Sequence, residues 1–197
     1  MPKPRGASAI GPTVSTQESR GHEASTTAQV RGADWPKDLS TIRGLFQEYR
    51  DWLADHSDHS PELQARVRSG LSLIDQLTAE LPGAYGPPRG EVLLWREGSD
   101  VVACGALREL EPRLGEIKRI YVREDYRGKE FGRPFVRALI DRAQQLGYAA
   151  LRADTLPSMR AAIEFYQELG FRPIASYWPH PVAKALFFER SVGPPGA

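Results

Sequence analysis

The sequence is poor in cysteine, in net charge and in long apolar runs. A single cysteine, Cys104, excludes an internal disulfide and is typical of a reducing compartment, so we expect a cytoplasmic protein. Lysine and arginine number 26 against 25 for aspartate and glutamate, which disfavours a chain that mainly coats nucleic acid or an acidic membrane. No apolar run approaches the roughly 18 residues that span a bilayer, and residues 1–14 lack the apolar core of a signal peptide. We therefore expect neither a nucleic-acid partner nor a membrane partner.

The chain of 197 residues is long enough for one domain with a well-buried core. Residues 1–25 consist mostly of small, polar and charged side chains. They bury too little apolar surface to offset the entropy of ordering, so we expect a disordered tail there. The domain itself is predicted over 26–192, followed by a flexible C-terminus at 193–197.

Apolar periodicity changes along the chain from helical to strand spacing. Two amphipathic helices are predicted over 38–54 and 61–80, because apolar residues recur there every three or four positions. After a proline- and glycine-rich loop at 82–90 the period becomes two, as in β-strands. The predicted strands lie at about 26–33, 91–97, 101–110, 116–123, 148–154, 171–178 and 184–192.

Two further helices are expected to end at glycines, Gly147 and Gly170. The resulting order is β-α-α-β-β-β-α-β-α-β-β. This order predicts an α/β fold with a mixed sheet in one layered domain.

The segment 116–135, EIKRIYVREDYRGKEFGRPF, combines a short strand, a basic turn with glycine and the start of a helix. Strict alternation predicts two sides for the strand, with Ile117, Arg119 and Tyr121 on one and Lys118, Ile120 and Val122 on the other. A strand that leads through a glycine turn into a helix brings free backbone N–H groups and the positive helix end together. The pattern predicts an anion site, for which phosphate is the usual ligand.

Two motifs resemble the acyl-coenzyme A dependent N-acyltransferases of the GNAT superfamily. The run YRGKEFG (126–132) is similar to that family's R/Q-x-x-G-x-G/A pyrophosphate loop, and AAIEFYQELGF (161–171) is similar to its A-x-x-x-(L/F)-Y-x-x-x-G-F helix-to-strand step. Stretches such as EIKRIYV (116–122) and LRADTLPSM (151–159) further resemble a bacterial subgroup of small, mostly uncharacterised acetyltransferases. The resemblance covers 26–192. It implies the GNAT fold, an α/β fold with a mixed, mostly antiparallel central sheet flanked by helices.

The sequence departs from the family pattern at two positions. Glu130 stands where a loop glycine is most common, and its carboxylate would repel a pyrophosphate unless the side chain points to solvent. Met159 stands where many members have an asparagine before the last helix, which removes one polar contact to the cofactor.

The resemblance implies a function in acyl transfer. We expect an N-acetyltransferase that moves an acetyl group from acetyl-CoA to a primary amine by direct attack in a ternary complex. Acetyl-CoA would be the acyl donor, and no metal is expected. The acceptor, a small-molecule or peptide amine, is not identified by the sequence, and whether the protein forms a homodimer stays open. Two alternatives also stay open: a non-catalytic acyl-CoA-binding or regulatory module with the same fold, and a phosphate-binding protein of another family.

The same resemblance assigns residues to the cofactor. Backbone N–H groups and cationic side chains of the loop would hold the pyrophosphate. The pantetheine arm would pair with the preceding strand, where a backbone N–H would also polarise the thioester carbonyl. The loop positions are Arg127, Gly128, Lys129, Glu130, Phe131, Gly132 and Arg133, and the strand positions are Ile120, Tyr121 and Val122.

Two residues are candidates for proton transfer. Tyr166 matches the family's tyrosine and is the candidate general acid, because a phenol is mainly protonated at neutral pH and can donate to a departing thiolate. The alternative is a core tyrosine beside Phe165. Glu116 is the candidate base, since it lies eleven residues before Arg127, as the catalytic glutamate does in some histone-type members. The equally weighted alternative is a strand carboxylate paired with a nearby arginine.

The acceptor is expected between the first two helices, the loop 82–90 and the segment 177–180. Each aromatic residue proposed for its walls is also a plausible core residue. Cys104 is expected to be a small buried strand residue rather than a nucleophile. The aromatic candidates are Tyr49, Trp52, Tyr85 and Trp178, and the candidates that would read the charge of the substrate are Arg108 and Asp154.

Overall fold

The structure is a computed structural model that describes residues 29–56, 61–127, 132–180 and 184–193, with the side chains of 56 and 61–69 left out. The predicted tail at 1–25 and most of the predicted C-terminus lie outside the described residues. So do four positions of the predicted pyrophosphate loop, Gly128, Lys129, Glu130 and Phe131.

Within the described residues the elements follow the predicted order, and the predicted α/β fold is confirmed. The helices are α1 (Leu39–His56), α2 (Pro61–Ala79), α3 (Gly132–Gln145) and α4 (Arg160–Glu168). The strands are β1 (Gln29–Gly32), β2 (Glu91–Glu97), β3 (Asp100–Glu111), β4 (Leu114–Val122), β5 (Ala150–Thr155), β6 (Arg172–Ile174) and β7 (Leu186–Ser191). Gly147 and Gly170 follow α3 and α4 with φ of +87° and +82°, as expected of residues that end helices. No helix in these ranges is long and apolar enough to cross a membrane.

The seven strands of the described ranges form one sheet in the order β1-β2-β3-β4-β5-β7-β6. Neighbouring strands are antiparallel except β4 and β5, which run parallel. The β4–β5 ladder ends where Glu116 pairs with Arg152. Nevertheless β4 continues to Val122 and β5 continues to Thr155. Beyond Glu116, the edge of β4 that faces β5 therefore has no partner among the described strands, and a gap opens within the sheet.

Helices cover both faces of the sheet because the strands alternate their apolar side chains between the two faces. In β2, Leu93 and Trp95 face one core, to which α3 and α4 contribute. Val92 and Leu94 face a second core, to which α1 contributes. We call these the α3–α4 core and the α1 core. Cys104 is fully buried in the α1 core, as expected.

Strand β4 departs from strict alternation at Arg119. Its φ is +56°, a left-handed conformation that a residue other than glycine rarely adopts. Opposite it, Gly105 of β3 faces two residues of β4 instead of one, which is a β-bulge. The extra residue resets the alternation, so Ile117 and Ile120 both pack in the α3–α4 core. The predicted grouping of Ile120 with Lys118 is therefore wrong.

Strand β6 is shorter than the strand predicted at 171–178, because the chain turns after Ile174. The hydroxyl of Ser176 and the backbone N–H of His180 both donate to the carbonyl oxygen of Trp178, at 2.7 and 2.8 Å. This turn replaces the second half of the predicted strand and brings the segment 177–180 beside the gap in the sheet.

Candidate active site

A cavity of about 640 Å³ passes through the gap between β4 and β5. Helices α1 and α2 line it on one face of the sheet, and α4 lines it on the other. The predicted segment 177–180 contributes Tyr177, Trp178 and His180 to its wall. Seven residues that were predicted from the sequence to contribute to the site are in the wall: Tyr49, Trp52, Arg108, Ile120, Asp154, Tyr166 and Trp178. The cavity is therefore the candidate active site.

Tyr85 is not in the wall of the cavity, so the prediction that it forms an aromatic wall is wrong. Its side chain is 1% exposed and belongs to the α1 core. There it packs edge-on against Phe46, with the ring centroids 6.0 Å apart. A short 3-10 helix, Gly83–Tyr85, turns the ring inward, and burial of a large aromatic side chain in a core is strongly favourable.

Glu116 is fully buried and is not itself in the wall of the cavity. Arg108 Nε donates to Oε2 at 2.6 Å, and the Tyr177 hydroxyl donates to Oε1 at 2.6 Å. Lys118 Nζ lies 3.1 Å from Oε1. Three donors thus hold this carboxylate, as the alternative of an arginine-paired strand residue anticipates. An amine in the cavity could pass a proton to Glu116 only through one of these donors, and the role of Glu116 as base stays a prediction.

The buried charges continue from Lys118 to Asp154 and His180. Lys118 Nζ lies 2.5 Å from Oδ1 of Asp154, and His180 Nε2 lies 3.3 Å from Oδ2. Burial alone would raise the pKa of Asp154, but the hydrogen bond from His180 and the charge of Lys118 outweigh it and lower the pKa well below its ordinary value. Asp154 is therefore an ionised carboxylate that orients His180 at the wall of the cavity.

No three His, Cys, Asp or Glu side chains in the described part of the chain are arranged to hold a metal ion. The carboxylates of the cluster are instead engaged by cationic side chains and a phenol. Because residues outside the described ranges are untested, the expected absence of a metal stays a prediction.

Tyr166 belongs both to the α3–α4 core and to the wall of the cavity. Its ring packs against Phe171 and Phe188, with centroids 5.3 and 5.7 Å away, and its side chain is 7% exposed. Burial, assisted by the negative charge of Asp154, raises the pKa of Tyr166 far above its ordinary value. The phenol therefore keeps its proton at neutral pH, as a general acid must before it donates.

The strand residues predicted beside pantetheine have different surroundings. Ile120 and Val122 both pack against the α3–α4 core, and Ile120 also lines the cavity. Tyr121 packs edge-on against Tyr49, with the ring centroids 6.2 Å apart. What these three residues share is their position on the unpaired edge of β4, so a common ligand would contact them through the backbone.

The described parts of the predicted pyrophosphate loop are Arg127, Gly132 and Arg133. Arg127 Nε donates to the carbonyl oxygen of Val122 at 2.8 Å, and the guanidinium lies 4.8 Å from the ring of Trp52. Arg133 forms an ion pair with Glu168 of α4. Gly132 is the first residue of α3, where backbone N–H groups lack helical partners. Both arginines have partners within the protein, and their contact with a pyrophosphate stays a prediction.

Seven polar residues of the wall were not assigned a role from the sequence. They are Glu111, Lys118, Arg119, Arg152, Thr155, Tyr177 and His180. The side-chain bonds that connect Lys118 and Tyr177 to the cluster join positions 36 and 61 residues apart. No local motif spans such distances, and the naming of 177–180 as a wall segment was the only signal that pointed toward any of them.

Comparison with known proteins agrees with this geometry. A model of the acetyltransferase (GNAT) family matches residues 43–171 of the chain. An uncharacterised N-acetyltransferase of Schizosaccharomyces pombe is 30% identical over 160 residues, which make up 78% of this chain and 88% of that protein. The IAA acetyltransferase of Azospirillum brasilense is 33% identical over 102 residues, or 50% of this chain and 65% of that protein. Because a yeast protein is among the relatives, the narrower resemblance to a bacterial subgroup is not confirmed.

Solved structures have the same fold. The PaiA N-acetyltransferase of Thermoplasma acidophilum, in complex with coenzyme A, matches with a TM-score of 0.64 at 16% identity over 84% of this chain and 99% of that chain. The acetyltransferase yncA of Salmonella typhimurium, with its cofactor acetyl-CoA, matches with a TM-score of 0.58 at 20% identity over 86% and 96% of the two chains. With the family match and the yeast relative, these findings mean that the chain belongs to the GNAT family of acetyltransferases.

Proposed function

We propose that the protein is an N-acetyltransferase that moves an acetyl group from acetyl-CoA to a primary amine by direct attack, without a covalent enzyme intermediate. The observation that carries the proposal is the unpaired edge of β4 beside a cavity whose wall includes Tyr166. Family membership supports the reaction class, and the similar structures with coenzyme A or acetyl-CoA support the donor. We also propose a cytoplasmic location, because a reducing compartment suits a chain with one cysteine.

The backbone of β4 fits an extended donor. Beyond Glu116 its β5-facing edge has no partner among the described strands, so its N–H and C=O groups can pair with a pantetheine arm. Acetyl-CoA would supply an acetyl group activated as a thioester. The left-handed backbone at Arg119 reorients the adjoining peptide, and we propose that an N–H at this bulge polarises the acyl carbonyl.

Tyr166 is the proposed donor of the proton that the leaving thiolate receives. Its raised pKa keeps the phenol protonated until a strongly basic group forms beside it. Packing against Phe171 and Phe188 holds the ring in one orientation, so the hydroxyl does not need to be ordered during the reaction.

Two groups compete for the role of the base that takes the proton of the amine. Glu116, the residue predicted from the sequence, would act through Tyr177 or Lys118, which contact its Oε1 and line the cavity. His180 lines the cavity itself, and Asp154, with Oδ2 3.3 Å from its Nε2, would orient the imidazole. Direct access to the cavity favours His180.

Release of the coenzyme A thiol, measured with acetyl-CoA and a panel of amine classes, tests the proposed reaction. We expect turnover above background for at least one class, and calorimetric binding of acetyl-CoA at micromolar Kd or tighter. Arg127→Ala is the loop control and should raise the KM for acetyl-CoA. Binding without turnover for every class would instead indicate the non-catalytic module. A lack of binding would contradict both interpretations.

Paired variants identify the base. A variant that lacks the base should have a kcat/KM about 100-fold lower at pH 7, because most of the amine substrate is protonated at that pH. The deficit should shrink as the pH approaches the pKa of the amine, since solution then supplies neutral amine. We expect His180→Gln to follow this profile and Glu116→Gln to lack it. The reverse result would assign the base to Glu116.

A further inference from the structure

Arg119 is a buried cation in the wall of the cavity that has no counter-ion among the described residues. Its side chain is 8% exposed, and its Nε is buried without a hydrogen-bond partner. Its guanidinium carbon lies 5.9 Å from the centre of the Tyr49 ring, which is a weak contact for a full charge. A buried guanidinium is unfavourable unless an anion or acceptor groups satisfy it.

The other cations of the described wall are balanced within the protein. Glu111, the remaining carboxylate of the wall, is exposed at the end of β3 and forms no ion pair with the guanidinium of Arg119. The wall thus has one unbalanced positive charge, and it lies at the bulge of β4. The balanced pairs are Arg108 with Glu116, Lys118 with Asp154, and Arg152 with Glu189.

A second donor in the wall is also unsatisfied. Trp178 Nε1 is buried without a hydrogen-bond partner, and the indole lines the cavity. Most of the surrounding wall is apolar or aromatic. Its members on α1 and α2 include Tyr49, Trp52, Leu71, Leu73, Ile74 and Leu77. The cavity therefore offers a cation and an N–H donor against an apolar background.

The donor substrate does not account for this charge. The pantetheine arm and the acetyl group, which the proposed function puts along β4, carry no anionic group. The pyrophosphate is expected at the start of α3, outside the bulge where Arg119 lies. The counter-ion of Arg119 is thus expected to come from the other substrate.

We propose, on the basis of the function proposed above, that the acceptor amine also carries a carboxylate on an apolar or aromatic frame, and that Arg119 binds this carboxylate. The planar guanidinium matches the two oxygens of a carboxylate. Those oxygens would accept the hydrogen bonds that Arg119 Nε and Trp178 Nε1 do not form within the protein. The apolar side chains of the wall would pack against the apolar or aromatic part of the acceptor. Apolar and aromatic α-amino acids are the smallest amines of this class.

Probe pairs in which an amide replaces the carboxylate test the proposal. Phenylalanine and phenylalaninamide serve as acceptors, and phenylacetate and phenylacetamide serve as competitors that lack the amine. In wild type we expect phenylacetate to compete with the acceptor and phenylacetamide not to. Arg119→Gln should lower kcat/KM for phenylalanine by about 10- to 100-fold, the loss expected for a hydrogen-bonded charge pair. Because the backbone at Arg119 also belongs to the proposed site of the acyl carbonyl, the deciding readout is the ratio of kcat/KM for phenylalanine to kcat/KM for phenylalaninamide, which should fall by the same factor.

Three further variants separate the charge from the backbone. Arg119→Lys keeps a cation but not the planar fork, and should recover part of the phenylalanine activity. Arg119→Gly adopts a φ of +56° without strain, so the bulge persists while the guanidinium is lost; it should behave as Arg119→Gln does. Arg137→Gln, an exposed arginine of α3, is the matched control and should change neither probe pair. Thermal melts identify any variant that fails to fold.

The outcomes distinguish this proposal from the proposed function. Turnover without discrimination between phenylalanine and its amide, or discrimination that survives Arg119→Gln, overturns the carboxylate site but leaves the N-acetyltransferase. A loss of acetyl-CoA affinity in Arg119→Gln with unchanged phenylacetate inhibition also overturns it, because Arg119 would then serve the donor. If no amine is turned over, calorimetry with coenzyme A present decides: phenylacetate binding to wild type but not to Arg119→Gln supports the site, and no binding refutes it.

Discussion

The two faces of the sheet bury different kinds of side chain. The α3–α4 core is apolar where α3 meets the sheet, and Phe135 and Leu139 are fully buried in it. The opposite face also has an apolar core under α1, but next to the cavity it buries Glu116 with Arg108 and Lys118 around it. Apolar burial is favourable in any orientation, whereas buried charges are tolerated only with well-placed partners. The buried charges thus lie beside the cavity, where polar groups can contact a substrate. The apolar packing between α3 and the sheet stabilises the fold.

The largest expected effect belongs to the apolar face. Phe135→Ala should lower the free energy of unfolding by about 3–5 kcal/mol, because it leaves a cavity against Trp95 and the neighbouring α3 side chains. Leu73→Ala, at a side chain that is 40% exposed, should cost about 0.5 kcal/mol or less. Urea unfolding measures both. Equal losses would mean that this face does not dominate the stability.

The charged face should respond almost as strongly to the loss of one charge. Glu116→Gln leaves the partly buried Arg108 and Lys118 without their shared, fully buried carboxylate, and we expect a loss of about 3 kcal/mol in urea unfolding. Glu48→Gln is the matched control, since Glu48 also accepts two hydrogen bonds from one arginine, Arg123, but in a half-exposed pair. It should cost about 1 kcal/mol or less. Similar losses for the two variants would show that burial of the carboxylate does not determine how much its ion pairs contribute to stability.

Tyr166→Phe should affect turnover more than stability. The variant keeps the ring that packs on Phe171 and Phe188 but loses the proposed proton donor, so kcat should fall about 100-fold. Tyr148→Phe removes another buried hydroxyl, which donates to the carbonyl oxygen of Arg89 away from the cavity. That control should cost about 1 kcal/mol of stability and leave kcat unchanged. An unchanged kcat in Tyr166→Phe would remove the residue from the mechanism.

The smallest expected effect is a difference in acid sensitivity. The pKa of Asp154 is lower in the folded protein than in the unfolded chain, so its ionised form stabilises the fold above the unfolded value of about 4. This contribution is lost as the pH falls through the lower folded pKa. The urea midpoint of wild type should therefore decline below about pH 4, and that of Asp154→Asn should decline less.

A carboxylate away from the cavity provides the comparison for that measurement. The hydrogen bond from Arg31 lowers the pKa of Asp38 to about 2. Asp38→Asn should also flatten the acid decline, but without any effect on kcat. If Asp154→Asn leaves the pH dependence unchanged, its ion pairs do not contribute to folding.

The apolar face could be predicted from the sequence to a large extent. A period of two across β2 assigns Leu93 and Trp95 to one side and Val92 and Leu94 to the other, and the structure agrees. Such patterns are local, so every residue needed to recognise them lies within a few positions. The bulge in β4 was not predicted, because Arg119 is not a glycine and nothing in its own strand indicates a positive φ. Its counterpart is Gly105, where a Cβ would lie 2.6 Å from Leu139 Cδ1.

The charged face could be predicted only in part. Tyr166 was predicted through a motif and Arg108 and Asp154 through their charge, and all three are in the wall of the cavity. Their arrangement was not found, because Glu116 is surrounded by donors from β3, β4 and the turn after β6. Tyr85 was placed in the wall because an aromatic residue in a glycine-rich loop has no periodic pattern that would mark it as core. The surroundings of Glu116 and of Tyr85 both depend on contacts with residues far away in the sequence, such as Tyr177 and Phe46.

Cys104 has a practical consequence for spectroscopy. It is fully buried, its Sγ lies 3.6 Å from the carbonyl oxygen of Arg119, and burial raises the pKa of its thiol. Because alkylating reagents and aromatic disulfides react with exposed thiolates, the native protein should stay unlabelled. A colour reagent would then report the coenzyme alone. A cysteine introduced on the exposed surface of α2 or β7 would carry a dye at one known position, so movements around the cavity could be followed by fluorescence without first replacing Cys104.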